Sequence, residues 1–154
     1  MPRLSMLIAS LATLAFPVLA EDAIVEETRF VVVLKDPGGD EAMFASRSVP
    51  LMPGRACYIW AIQLAQRDGL VKYRETFTLP EPPKDWGGEG DPNATNQISP
   101  DRLTSVNRKF ASLSDGWFGN QWCVTRGDPL GPHSIEVHIG EQLLERFEFE
   151  LVRP

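Results

Sequence analysis

Beyond its first twenty residues this sequence has no apolar run long enough to cross a membrane and no stretch of helical periodicity. It has no internal repeat and no linker-like segment that would divide it. Only two histidines and two cysteines are present. The nucleophile-elbow, phosphate-loop, metalloprotease-helix and helix-loop-helix calcium patterns are all missing. Those absences remove the familiar routes to hydrolysis, nucleotide binding and zinc catalysis, so no catalytic residue, metal site or cofactor is expected. Positive charge is also scarce: 15 Lys and Arg stand against 21 Asp and Glu, a net charge of −6. That balance disfavours nucleic acid and anionic membrane surfaces as partners.

What is present begins with an export signal. Residues 1–20, MPRLSMLIASLATLAFPVLA, combine a basic start at Arg3, an apolar stretch from Leu7 to Phe16 and Val18-Leu19-Ala20 before Glu21-Asp22. This is the pattern of a cleaved secretory signal peptide, with an apolar run too short to span a bilayer. No cysteine follows the cut, so no lipid anchor is expected there. Residues 21–154 have the size of one domain. That domain is expected in the periplasm or the medium, without membrane insertion after cleavage.

The remaining chain alternates with a period of two. Ile135, Val137 and Ile139 share one face; after Gly140-Glu141, Phe147, Phe149 and Leu151 alternate with Arg146, Glu148 and Glu150. Two such runs around a short glycine turn predict a β-hairpin. Phe30–Leu34 is apolar on both faces and should lie deep in a sheet. Further strands are predicted over 44–51, 56–64, 71–79, 103–113 and 117–125, and residues 80–101 read as one long Pro/Gly/Asn-rich loop. Thirteen prolines and twelve glycines supply the turns between them. The pattern predicts an all-β fold, an immunoglobulin-like or Greek-key β-sandwich of seven or eight strands.

Cys57 and Cys123, in a chain sent to an oxidising compartment, are expected to form a disulfide. Tyr58, Trp60, Ile62 and Leu64 make the richly apolar face of the first cysteine's strand, and Trp122 and Val124 that of the second. Both cysteines fall on the other face. The bridge is therefore predicted on the outer side of one sheet, between neighbouring strands, with the Trp60 and Trp122 rings opposite it.

Candidate site residues are few. Loops longer than about 12–15 residues are usually functional or disordered, and the 80–101 loop holds Trp86, either a lid tucked on the sandwich or an exposed anchor. Trp117 could join it in an aromatic platform for carbohydrate, although Trp117-Phe118 also reads as a strand start packing inward. Asp128 and His133 could bind a metal or orient a proton transfer, but two groups do not make a site, and turn chemistry accounts for Asp128. His138 alternates with core residues and should point to solvent. Glu75 falls on the apolar face of Tyr73 and Phe77, where a carboxylate needs a partner. An ion pair is the first expectation, and Arg74, on the opposite face, cannot supply it. Asn93-Ala94-Thr95 is a formal glycosylation acceptor, meaningful only in a eukaryotic host.

The Trp60 strand, Leu79-Pro80 through Trp86, Ile98-Ser99-Pro100-Asp101, the Trp122 strand, Gly127-Asp128-Pro129-Leu130-Gly131-Pro132-His133 and the closing Phe147-Phe149 strand together resemble exported bacterial immunoglobulin-like domains of unknown function. The likeness covers most of residues 45–152. It implies the sandwich fold and brings no catalytic residues with it. The cysteine-to-tryptophan spacing departs from that of true immunoglobulin domains.

Three functions follow as expectations. The first is a non-catalytic binding or accessory module with a protein or glycan partner in the cell envelope, acting through loops around Trp86. The second is a carbohydrate-binding module with Trp86 and Trp117 as its platform. The third is a metal-dependent or hydrolytic enzyme using Asp128 and His133.

Overall fold

Residues 22–87 and 96–154 are described by a computed structural model. The expected signal peptide over 1–20 and the Asn93-Ala94-Thr95 acceptor lie outside the described residues. Ten strands follow one another: β1 (Val25–Lys35), β2 (Glu41–Ala45), β3 (Ser48–Pro50), β4 (Ala56–Leu64), β5 (Leu70–Thr78), β6 (Asn96–Ile98), β7 (Thr104–Ser112), β8 (Trp117–Cys123), β9 (Gly131–Ile139) and β10 (Gln142–Val152). A four-stranded sheet in the order β2-β1-β4-β8 packs on a six-stranded sheet in the order β3-β10-β9-β5-β7-β6. Among the described residues there is no helix.

The period-two pattern accounts for the core. On β4 every second residue, from Ala56 through Tyr58, Trp60 and Ile62 to Leu64, is buried. The facing sheet contributes Tyr73 and Phe77 from β5, Ile135 and Val137 from β9, and Phe147, Phe149 and Leu151 from β10. Rings meet across the gap: Tyr58 and Phe149 at 4.7 Å, Phe30 and Phe149 at 5.0 Å, Trp60 and Phe147 at 6.0 Å between centroids. Interdigitation of two inner faces is what holds a sandwich together. β1 lies between β2 and β4, as its doubly apolar sequence requires.

Two expectations are corrected, and they raise the strand count from seven or eight to ten. The single strand predicted over 44–51 is two strands in different sheets: β2 pairs antiparallel with β1, and β3 runs parallel to β10. The break falls at Ser46-Arg47, where the Ser46 hydroxyl donates to the Ser48 carbonyl and accepts from the Ser48 amide, closing a bend. The predicted 80–101 loop contains β6, three residues paired with β7. A strand that short and polar leaves no alternation to read.

The disulfide lies where parity put it. Cys57 and Cys123 are register partners on β4 and β8, bonded, with Cα atoms 3.9 Å apart. The adjacent pair is closed by the Val124 amide donating to the Ala56 carbonyl at 2.9 Å. The cysteines therefore form a non-hydrogen-bonded pair, the position at which opposing side chains come closest. The bridge sits on the outer side of the sheet, while Trp60 is fully buried on the inner side and Trp122 packs against the core.

Candidate functional site

Glu75 projects from β5 into the middle of the core and is fully buried. The ion pair expected for it is replaced by neutral donors from the other sheet. Trp60 Nε1 of β4 donates to it at 2.5 Å, Trp122 Nε1 of β8 at 3.2 Å, and Asn120 Nδ2 of β8 at 3.1 and 3.3 Å. Polar N–H groups rather than a cation thus satisfy the buried carboxyl group. Its charge is felt nearby: burial first, then Glu75, pushes the Tyr73 hydroxyl up to about 12. Nothing in this cluster offers a nucleophile or an open face, so it is a clamp between sheets.

The same clamp sets Trp122 at the rim of a cavity of about 110 Å³ at one end of the sandwich. Tyr58, Phe77, Trp122, His133 and Phe149 wall it, and Trp86 roofs it beside Asp85. Trp86 is only 5% exposed. Its Nε1 donates to the Arg102 carbonyl at 2.9 Å, and its ring meets Phe77 edge-on at 5.9 Å. The roof is anchored from below as well, by the Lys84 amide on the Gly127 carbonyl at 3.1 Å. Gly127 has a φ of 93°, and a Cβ there would stand 2.3 Å from the Lys84 Cβ, so the close approach needs glycine. Of the two readings of Trp86, the tucked lid is the one found.

Asp128 closes its own turn, as turn chemistry suggested. It accepts the Thr125 amide at 2.8 Å and the Thr125 hydroxyl at 2.7 Å. His133 is buried between Phe77 and Phe149, with ring centroids at 5.9 and 5.2 Å. Its Nδ1–H donates to the Gly131 carbonyl at 2.8 Å. Burial lowers its pKa below the usual histidine range, against the opposing pull of the Gly131 bond and the Asp128 charge. The neutral ring is thereby favoured.

Three of the four predicted site residues, Trp86, Asp128 and His133, therefore meet around one cavity. Trp117 does not join them. It is half-buried on the outer face of the four-stranded sheet, with the Arg29 guanidinium 4.4 Å from its ring centroid, while Phe118 points inward. A carbohydrate platform made of Trp86 and Trp117 is corrected on both counts: one ring is a buried lid and the other lies on a different face. Among the described residues no group of three potential metal ligands exists, so Asp128 and His133 gain no third ligand. His138 is on the outer face as expected but half-buried, and its Nδ1 is buried without a hydrogen-bond partner among the described residues. Sequence reasoning missed Trp122, Phe77 and Phe149 as cavity walls. Alternation places them inward, but only long-range pairing shows which end of the sandwich they share.

Comparison with known proteins agrees with this architecture. The PM0630 beta sandwich domain family matches residues 28–152. The crystal structure of an immunoglobulin-like protein from Pseudomonas aeruginosa superposes with a TM-score of 0.50 and 12% sequence identity, covering 86% of this chain and 98% of that one. At that identity the likeness speaks for an immunoglobulin-like fold alone. No curated protein is matched by the sequence.

Proposed function

This chain belongs to the PM0630 beta sandwich domain family, and from that premise we propose that it is a non-catalytic binding module of the cell envelope, exported to the periplasm or the medium. Its contact surface is the Trp86 end of the sandwich. The observation that carries this reading is the anchored Trp86 roof over a preformed, aromatic-walled cavity with Asp85 and Asp128 on its lining. Loops held on a rigid scaffold are where binding residues concentrate.

Size decides between the partner classes. Pockets that enclose a small ligand run to about 300–1,000 Å³, and this cavity is about 110 Å³. It suits one side chain of a protein partner better than a sugar ring. Aromatic walls with carboxylates beside them favour a Lys or Arg side chain. Asp128 is engaged by the Thr125 amide and hydroxyl and the His133 Nδ1 by the Gly131 carbonyl, turn-closing bonds that support a binding role over a catalytic one.

The test is site-specific photo-crosslinking in the envelope from Asp85, which is exposed beside the cavity, and from Asp68 in the turn at the far end. The expected result is one discrete protein adduct from position 85, none from 68, and loss of the adduct when Asp128→Lys reverses the charge on the cavity lining. Equal labelling from both positions, or an adduct indifferent to Asp128→Lys, would overturn the reading.

A further inference from the structure

At the opposite end of the sandwich lies a larger and more open concavity of about 960 Å³, within the size range of small-ligand sites. Strand register builds one of its walls. Arg74 on β5 is directly opposite Arg108 on β7 and, on its other side, opposite His138 on β9. The neighbours Tyr73, Glu75 and Asn107 are buried, so these basic residues occupy the outer face. Lys72 follows on the same face, opposite Phe110. Like charges directly opposite on a sheet are destabilising, and here they are not neutralised. Arg29, Arg67 and Arg146 each pair with a carboxylate. Among the described residues the Arg74 side chain makes no hydrogen bond or ion pair, and the Arg108 side chain reaches only the uncharged Gln97 side chain at 3.0 Å. His138 continues this row beyond the lining of the concavity, which takes Lys72, Arg74 and Arg108 from it.

The basic row runs into apolar residues, with Leu70 on the same face of β5 as Lys72 and Arg74. Ile24 and Leu70, 64% and 70% exposed, line the concavity with Ile139. Single exposed apolar residues are ordinary; two large ones sharing a concavity with unneutralised cations are a pattern. Asp22 and Glu141 also line it, so the concavity is only weakly positive, in a chain of net −6. A bare anion or a charged membrane face would gain little here. A molecule that engages the basic row at one end and the apolar residues along its length would gain from both.

We propose that this concavity binds an amphiphilic anion, a hydrocarbon chain bearing a phosphate or carboxylate head. The head is held by Arg74 and Arg108, and the chain lies along Leu70, Ile24 and Ile139. This site is separate from the Trp86 cavity and does not depend on the function proposed for it.

Calorimetric titration of the protein with dodecyl phosphate, kept below its micelle concentration, tests the proposal against inorganic phosphate and dodecyl maltoside. One saturable site is expected for dodecyl phosphate, at least about tenfold tighter than for either comparator, the factor one charge-assisted contact supplies. The double variant Arg74→Gln/Arg108→Gln and the single variant Leu70→Ser should each weaken it by about tenfold or more. Both alter outer-face side chains, so the thermal midpoint should hold. Asp85→Lys at the far end should leave binding unchanged. Equal binding of inorganic phosphate would show a simple anion site and overturn the proposal. So would equal binding of the maltoside, indifference to the arginine variant, or loss of binding in Asp85→Lys.

Discussion

The Glu75 carboxylate accepts the Trp60 indole N–H at 2.5 Å across the gap between the two sheets. Antibody-type domains join their sheets through the core with a disulfide. Here the disulfide lies on the outer side of one sheet, and the tie across the core is a hydrogen-bonded carboxylate. Removing one partner of a buried polar network leaves the others unsatisfied, which costs more than the network contributes net. The tie links β5 to β4 and β8 across the core.

Glu75→Gln keeps the shape but sets an amide donor among three N–H donors. Equilibrium denaturation should show a loss of about 2–4 kcal/mol with an unchanged denaturant slope, and Glu75→Leu, which strands all three donors, should cost about 3–5 kcal/mol. A cost below about 1 kcal/mol for both variants would contradict the clamp.

Cys57→Ala/Cys123→Ala should leave the sandwich folded, because the bridge contributes nothing to the core packing. The chain-entropy model places the stability loss at roughly 4 kcal/mol for the separation of 66 residues. Near-ultraviolet circular dichroism of the tryptophans should persist in the double variant. Its collapse would show that the bridge positions Trp60 and Trp122 as well as constraining the unfolded chain.

His133 has its pKa lowered by burial in the folded state. The unfolded chain, with a histidine near about 6.5, then binds more protons as pH falls, so stability must fall with it. This contribution is complete above the unfolded value and is lost as pH drops from there through the lowered folded value. Thermal midpoints measured across that window should decline. In His133→Phe, which preserves the stack on Phe149, the part of the decline due to this group should vanish; an identical profile would assign it to other residues.

Tyr58 and Tyr73 are the two tyrosines of the chain. Burial, then the Asp128 and Glu75 charges, raises Tyr58 well above its usual value, and Tyr73 is pushed up to about 12. A raised folded pKa means stability that is full below the unfolded value, about 10, and is lost as pH rises through the folded one. Tyrosinate absorbance should therefore stay absent through the ordinary tyrosine range and appear together with unfolding. Ionisation of either tyrosine near its ordinary pKa, with the fold intact, would show that the side chain is not sealed in the core.

Local periodicity by itself determined the β class, the face on which each major strand is buried, the closing hairpin and the outward position of the Cys57–Cys123 bridge. It could do so because a side chain's face depends only on whether its position is odd or even along the strand. It also marked Glu75 as needing a partner, but alternation carries no information about which strand supplies one. The donors Trp60, Asn120 and Trp122 come from two strands of the other sheet. Only the tertiary structure decided that, along with the sheet switch at Ser46-Arg47, the separation of Trp117 from Trp86 and the alignment of Arg108, Arg74 and His138 in one row. Each of these depends on pairing between distant segments, and register across such distances is set by the collective fit of the core rather than by any one segment.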